Sequence, residues 1–410
     1  MKTHDLKINA ERLTSRLDAL AQVGATPEGG VRRFAAGDQD KHARDLFAGW
    51  LEAAGLEVKI DRIGNIFGLR AGTSAAPTIM SGSHLDSVDN GGRLDGALGV
   101  LAALEAVECL NDADLTTKAP ICVAAFTNEE GVRFQPDMMG SLVYAGGLAL
   151  ETALSTRDRD GVTLGAELSR IGYAGDMTPG AMVPQTFIEL HIEQGPVLDV
   201  EKLALGAVEA LQGISWTEIV IDGEANHAGT TPMGMRRDAG YCAGAVTEFV
   251  RRLALDLGGA QVATVGTIEL TPNVINVVPG RARLTVDLRN RDNEALYEAE
   301  RRLEDFCGEL EAEQQVQIAL TRLARFDPVI FDPGIVTLVE AAAGRLGVSC
   351  RRMTSGAGHD AQMMARICPT AMIFVPSVRG ISHNPAEHTN RQDLITGATV
   401  LLQTLMDLAG

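Results

Sequence analysis

Apolar residues recur with two different spacings along the first part of the chain. They follow the period of an amphipathic helix from Asn9 to Ala21 and from Asp38 to Ala54. The pattern then changes to a short apolar run at Pro77 to Met80, a helical stretch from Gly91 to Leu110, and a second apolar run at Ile121 to Thr127. This strand, helix, strand order predicts a βαβ unit within a largely parallel sheet.

A different pattern begins at Thr217. Strands are predicted at Thr217–Gly223, Val262–Leu270, Asn273–Val278, Ala282–Leu288 and Gln315–Leu320, and helices at Arg237–Leu255 and Glu294–Leu310. Strands joined by short turns and accompanied by two helices predict an antiparallel sheet covered on one face. After Pro328 the helix and strand alternation returns at Gly334–Gly347, Ala371–Val375 and Arg391–Leu408. We therefore expect an α/β domain made of residues 1–210 and 327–410, interrupted by an α+β domain at 211–326.

Composition narrows the classes of function. The chain has 36 basic and 54 acidic residues, a formal charge of −18 without charged blocks, so we expect neither nucleic acid nor a membrane as a partner. Its longest mostly apolar run, Leu94–Leu110, contains three acidic residues and is shorter than the roughly 20 residues that cross a bilayer. The first residues lack a secretion signal, and the six isolated cysteines suit a reducing compartment. These features predict a cytoplasmic protein.

Four of the eight histidines lie in Gly-rich or acid-rich turns at predicted strand ends, namely His84, His191, His227 and His383. Ligands bind at strand ends in open α/β sheets. A single histidine in such a turn is usually an ordinary hydrogen-bonding residue. Four of them, alternating with carboxylates, favour a shared site.

Two aspartates accompany the first of these histidines. Asp86 follows His84 by two residues, so in an extended segment both side chains point the same way. Asp86 could then accept the proton of one imidazole nitrogen while the other nitrogen holds a metal. Asp95 follows the Gly91-Gly92 turn and opens the next helix, where favourable interaction with the helix dipole is an equally good explanation.

Adjacent carboxylates follow the apolar run that ends at Thr127. Glu129 and Glu130 repel each other unless something neutralises them. Beside a divalent cation, one can be a ligand while the other acts as a general base. A solvated turn is the simpler alternative, although the preceding strand is too apolar for a sheet edge.

The candidate ligands are three imidazoles and two carboxylates: His84, Asp95, Glu130, His191 and His383. If Asp95 bridges two cations, each cation has three protein ligands and one position for a shared water. Nitrogen and oxygen ligands without thiolates suit zinc or manganese, with cobalt or nickel as alternatives.

These residues resemble those of the di-metal amidohydrolases of the M20 metallopeptidase family, in particular the hydantoinase/carbamoylase branch. That branch contains N-carbamoyl-L-amino acid hydrolases, allantoate amidohydrolases and β-ureidopropionases. The stretches that carry the resemblance occur in the expected order and are Gly82–Val88, Asn128–Phe134, Glu189–Pro196, His227–Met233, Pro272–Asn276, Asp287–Arg289, Gly356–Asp360 and Ser382–Pro385.

The resemblance implies a role for each matching residue. His84 and His191 would bind one metal and Glu130 and His383 the other, with Asp95 between them. Glu129 would be the general base.

The resemblance also implies that the inserted domain is a lid and dimerisation domain, so that the protein forms a homodimer. His227 and Asn276 would reach the substrate, with His227 stabilising the oxyanion, and Arg289 would bind the substrate carboxylate. Gln194 would contact its ureido or carboxylate end. Asn276 as a turn residue and Arg289 as half of an ion pair remain alternatives.

Three further positions follow from the residues themselves. Gly358 lies in a Gly-rich loop whose backbone amides could approach a ligand closely. His359 and His388 are interpreted as structural residues or as supports for the ligands.

The expected activity is hydrolysis of the carbamoyl (ureido) C–N bond of N-carbamoyl-L-amino acids or related ureido acids, by a metal-held hydroxide generated with Glu129. The substrate is a small molecule bearing a carboxylate. Allantoate amidohydrolase or β-ureidopropionase are the alternatives, and an M20 dipeptidase or N-acyl-amino acid amidase is more distant. A non-catalytic protein with the same fold would lack Glu129 or a ligand, and none is missing.

Overall fold

The computed structural model describes residues 6–410, which form two compact units. The first extends to Glu209 and resumes at Phe331, and the second is Ala210–Ile330. None of the helices in the described part of the chain has the length and apolarity that a membrane span requires.

The helices within residues 6–410 are α1 Ala10–Ala21, α2 Asp38–Ala53, α3 Ala97–Asp112, α4 Met139–Tyr144, α5 Leu150–Ser155, α6 Leu164–Ile171, α7 Val197–Glu201, α8 Ala239–Leu257, α9 Asn293–Gln314, α10 Pro333–Arg345, α11 Asp360–Met364 and α12 Arg391–Ala409. The strands are β1 Glu57–Ile60, β2 Ile66–Arg70, β3 Ile79–His84, β4 Ile121–Phe126, β5 Thr186–Ile192, β6 Leu205–Leu211, β7 Gly213–Asp222, β8 Asn226–His227, β9 Val262–Thr271, β10 Val277–Val278, β11 Arg281–Asn290, β12 Gln317–Phe326, β13 Val329–Ile330, β14 Cys350–Ser355 and β15 Thr370–Val375.

The larger sheet has the order β1-β2-β4-β3-β5-β15-β6-β13, with β14 beside β6. Its four central strands, β4, β3, β5 and β15, are parallel, and the antiparallel pairs lie outside them. Every residue of these central strands is buried, as expected for parallel strands enclosed by helices. The predicted mixed, largely parallel sheet is confirmed.

Close packing of β3 against β4 depends on Gly82. A Cβ atom at this position would lie 2.0 Å from the carbonyl oxygen of Ala124. The backbone therefore leaves no room for a side chain, and this contact fixes the register of the strand that ends at His84.

The second unit contains an antiparallel sheet with the order β12-β7-β11-β9. Alternate residues of β11, such as Leu284 and Val286, pack with the buried faces of α8 and α9. The predicted antiparallel sheet with helical cover is therefore confirmed. Strands β8 and β10 form a separate two-stranded pair.

Several predicted boundaries are wrong. The helix predicted from Gly91 begins at Ala97, because the preceding residues form a turn that ends in Gly96 with a positive φ of 65°. The strand predicted over Asn273–Val278 is reduced to β10, since its first part is an exposed loop in which Ile275 is fully accessible. Strands β1, β2, β6, β8, β13 and β14 were not predicted, and β5 was predicted only through the strand end at His191.

Candidate metal centre

Asp95 lies between two groups of potential ligands. Its Oδ1 atom is 3.5 Å from Nε2 of His84 and 3.1 Å from Nε2 of His191. Its Oδ2 atom is 3.4 Å from Nε2 of His383, and the same nitrogen is 3.5 Å from Oε2 of Glu130. The structure thus brings these five side chains together, with each carboxylate oxygen of Asp95 facing a different group.

Different structural elements position the three histidines. His84 is the last residue of β3 and His191 the penultimate residue of the neighbouring β5, so the parallel pairing brings both to the same end of the sheet. The sequence predicted that His383 also lies at a strand end, and this prediction is wrong. His383 lies in a loop before α12, with a positive φ of 52° and a half-exposed side chain.

Backbone carbonyls set the ring orientation of the two buried histidines. Nδ1 of His84 lies 3.0 Å from the carbonyl oxygen of Asp86, and Nδ1 of His191 lies 2.9 Å from that of Ile192. A carbonyl can only accept, so each Nδ1 carries a proton. The Nε2 atoms that face Asp95 are therefore the ones available to a cation.

The prediction for Asp86 is wrong about which of its atoms faces the imidazole of His84. Its carboxylate Oδ1 is 3.9 Å from Nδ1 of His84, too far for a hydrogen bond, and its backbone carbonyl is the acceptor instead. The carboxylate accepts the backbone N–H groups of Glu129 and Glu130, each at 3.2 Å. Asp86 thus holds the turn in which the two adjacent glutamates diverge, Glu129 toward His84 and Glu130 toward His383.

Gly96 permits the close approach of Asp95 to His84. Its φ of 65° is in the left-handed region, and a Cβ there would lie 2.5 Å from ring atoms of His84. A larger residue at Gly96 would be strained in its backbone and would clash with that ring.

Carboxyl groups are crowded at this end of the sheet. Burial, together with the charge of Asp95, raises the pKa of Glu130 to about 8. Burial and the neighbouring acids also raise the pKa of Glu129 well above its usual value. Burial acts in the same direction on Asp95, but hydrogen bonds from the three histidines hold its pKa well below the usual range.

The donor set fits divalent cations. His84, Asp95 and His191 place their ligand atoms within 4.8 Å of one another, and so do Asp95, Glu130 and His383. The hydrogen bond to Asp95 raises the pKa of His383 to about 9. Protons on this histidine therefore neutralise carboxylate charge that a bound cation could neutralise instead. Oxygen and nitrogen ligands in this arrangement are typical of zinc and manganese sites.

His359 supports the ring of His191. The two ring centroids are 4.5 Å apart, and burial lowers the pKa of His359 well below its usual value. Glu189 completes a third group with these histidines, but its carboxylate already accepts hydrogen bonds from Ser83 at 2.6 Å and Ala361 at 2.8 Å. His359 and Glu189 therefore form the packed layer behind His191.

Gln194 lies beside the cluster. Its Nε2 donates to Oδ2 of Asp95 at 2.8 Å and to Oγ of Ser382 at 3.2 Å, and within residues 6–410 its Oε1 has no hydrogen-bond partner. Gly358 is partly exposed, and a Cβ there would lie 3.1 Å from Cε of Met138. The close approach of a ligand to its backbone stays a prediction.

The other substrate candidates belong to the second unit. His227 on β8 is exposed and pairs with β10, and the N–H of Ala228 donates to the carbonyl oxygen of Asn276 at 2.9 Å. His227 and Asn276 are therefore neighbours. Arg289 on β11 donates through Nε and Nη2 to Asp287, at 3.1 and 2.9 Å.

The structure also reveals a residue that the sequence did not single out. Glu387 is buried, and its Oε1 accepts the N–H groups of Leu94 at 3.0 Å and Asp95 at 3.3 Å. Burial and the charge of Asp95 raise its pKa to about 7. The only sequence signal is an acidic residue shortly after His383.

Comparison with known proteins places this α/β fold and its histidine–carboxylate cluster in one family. The model of peptidase family M20/M25/M40 matches residues 80–407, and the chain belongs to that family. It is similar to a solved amidase of the hydantoinase/carbamoylase family from Burkholderia multivorans, with 44% identity, a TM-score of 0.95 and 99% coverage of both chains.

Some of the relatives carry names that describe activities. The chain is 41% identical to an N-carbamoyl-L-amino-acid amidohydrolase of Rhizobium meliloti, over 98% of this chain and 97% of that protein. It is 35% identical to an allantoate amidohydrolase of Escherichia coli strain K12, over 97% and 98% respectively. The family predicted from the sequence, including the hydantoinase/carbamoylase branch, is thereby confirmed.

Proposed function

We propose that this protein is an amidohydrolase that cleaves the carbamoyl C–N bond of N-carbamoyl-L-amino acids with the help of two divalent cations. The observation that carries the proposal is the position of Asp95, whose two oxygens face two separate sets of ligands. The name of the Rhizobium meliloti relative supports the substrate class.

In this proposal His84 and His191 hold one cation, Glu130 and His383 hold the other, and Asp95 is shared. The cations are zinc or manganese, with cobalt or nickel as substitutes. When bound, such cations polarise a carbonyl oxygen and lower the pKa of a water molecule.

Glu129 moves the proton. Its carboxylate is buried, lies 3.5 Å from Nε2 of His84 through Oε2, and has no hydrogen-bond donor within residues 6–410. This carboxylate is therefore available to accept a proton from the attacking water and to deliver it to the leaving nitrogen. Water and the ureido group then give the free amino group, carbon dioxide and ammonia.

Four residues are assigned to substrate recognition. Arg289 binds the substrate carboxylate through the guanidinium group, whose Nε and Nη2 also donate to Asp287. His227 stabilises the negative charge that develops on the carbonyl oxygen, and Asn276 and Gln194 bind the ureido end. We also propose that the protein acts as a homodimer, which light scattering in solution tests directly.

A panel of substrates tests the assignment. Ammonia release is measured with N-carbamoyl-L-amino acids, their D-enantiomers, allantoate, β-ureidopropionate and, by amine release, a dipeptide. We expect the highest kcat/KM with an N-carbamoyl-L-amino acid. Allantoate is the second candidate because of the relative from Escherichia coli, and hydrolysis of the dipeptide alone would contradict the proposal.

A further inference from the structure

Two distant parts of the chain carry the ligands on one side of the proposed centre. Asp95 precedes α3, whereas His383 lies in a loop near the C-terminal end. His383 lies in neither a helix nor a strand, its φ is positive and its side chain is half-exposed. Regular secondary structure therefore does not fix its position. Some other interaction must fix the distance between the two side chains.

Glu387 bonds to both parts. One carboxylate oxygen accepts the backbone N–H groups of Leu94 and Asp95, at 3.0 and 3.3 Å. The other accepts the hydroxyl of Ser382 at 3.0 Å, and Ser382 directly precedes His383. The Ser382 hydroxyl is also 3.4 Å from Oδ2 of Asp95. A single buried side chain therefore joins the turn before α3 to the loop of His383.

The turn is shaped around this carboxyl group. A Cβ atom at Gly92 would lie 2.0 Å from both Cδ and Oε1 of Glu387. Glu387 itself is only 6% exposed, so its oxygens are bonded to protein groups and are largely withheld from water. Loss of these acceptors would leave two backbone N–H groups and a hydroxyl without their partner.

We propose that Glu387 is a positioning residue for the metal centre. It fastens Asp95 to the loop of His383 and so sets the spacing of the ligands on that side, without touching cation or substrate itself. This inference rests on the proposed function. Partners that orient metal ligands in this way typically change metal affinity by about 10- to 100-fold when they are removed.

Cation binding to the metal-free protein tests the proposal. Titration with Co²⁺, followed by its visible absorption, and Zn²⁺ competition with a chelating dye give the affinity of each site. Glu387→Ala is expected to weaken the site of Glu130 and His383 by about 10- to 100-fold, and to weaken the site of His84 and His191, which shares Asp95 with it, to a smaller extent. Glu387→Gln keeps an acceptor for the two amides and a donor for Ser382, so its affinities should stay near those of the unmodified protein.

Glu105→Ala is the matched control. Glu105 is also buried and accepts the backbone N–H of Asn9 at 2.7 Å and the guanidinium of Arg12, but it lies within α3. Its loss should lower the melting temperature without changing cation affinity.

Gly92→Ala displaces Glu387 without removing it, and is expected to weaken the same cation site. If Glu387→Ala does not fold, Gly92→Ala and Ser382→Ala are measured in its place. The proposal is overturned if these variants bind both cations as tightly as the unmodified protein, or if Glu105→Ala weakens binding equally. An unmodified protein that binds no cation would instead overturn the proposed function itself.

Discussion

Replacement of Glu129 by glutamine separates proton transfer from metal binding. The two side chains have nearly the same shape, and the Glu129 carboxylate accepts no hydrogen bond within residues 6–410 that glutamine would lose. The backbone N–H of Glu129, which donates to Asp86 at 3.2 Å, is unaffected. Glu129→Gln should therefore fold normally and remove only the proton acceptor.

The expected effect on catalysis is large and the effect on stability is small. A positioned general base contributes about 10²- to 10⁴-fold to the rate, which corresponds to roughly 2.7 to 5.4 kcal/mol of activation free energy. Burial and the neighbouring acids raise the pKa of Glu129 well above its usual value. The ionised form thus costs stability above the ordinary pKa of a glutamate, and the neutral variant should be at least as stable at pH 8.

The assay combines kcat for ammonia release, bound metal per chain and the melting temperature. Glu130→Gln is the matched control, because the neighbouring carboxylate is assigned as a ligand. We expect Glu129→Gln to keep its metal and lose kcat, and Glu130→Gln to lose part of its metal. If Glu129→Gln retains kcat within tenfold, Glu129 is not the base. If it loses metal instead, Glu129 is a ligand.

Three further predictions concern the first unit. In the metal-free protein, the pKa of His383 is raised to about 9 by its hydrogen-bonded carboxylate, so the stabilisation by its proton is complete below about pH 6.5 and is lost as the pH rises through 9. The melting temperature of the metal-free protein should fall over that range in calorimetry, and an unchanged value would contradict this. Arg44→Met leaves the buried Asp40 without its ion-pair partner at 2.7 Å, so that the backbone N–H of Ala36 is its remaining hydrogen-bond donor within residues 6–410. Urea unfolding should show a loss of about 3–5 kcal/mol, and a loss below about 1 kcal/mol would refute the argument. Gly82→Ala forces a Cβ to 2.0 Å from a backbone carbonyl of β4 and should lower the free energy of unfolding by about 1–3 kcal/mol or more. Its control is Gly49→Ala in α2, where the added Cβ meets no atom within 4 Å and should not destabilise the protein.

The core elements could be predicted because burial leaves a direct signature in the sequence. Strands β4 and β15 are apolar at nearly every position, since both of their faces are covered. Strand β1 escaped prediction because its four residues alternate between exposed and half-buried positions. The hydrophobic pattern alone does not distinguish so short an alternation from a loop.

The site was predictable in its residue types but not in its contacts. The grouping of His84 and His191 follows from strand ends that parallel pairing brings together, whereas Asp95 reaches them from the turn before α3. The hydrogen bond of His84 to a backbone carbonyl, and the contact between Glu387 and the turn of Asp95, depend on loop conformations. These conformations include positive φ angles that no hydrophobic pattern encodes.

The central claim is that the cluster around Asp95 works through divalent cations. The most direct test measures ammonia release from an N-carbamoyl-L-amino acid after chelation, while Zn²⁺, Mn²⁺ or Co²⁺ is added back. We predict no turnover by the metal-free protein and recovery in proportion to the cation bound, with no recovery in Asp95→Ala. Full turnover by the chelated protein, verified to be free of metal, would contradict the account.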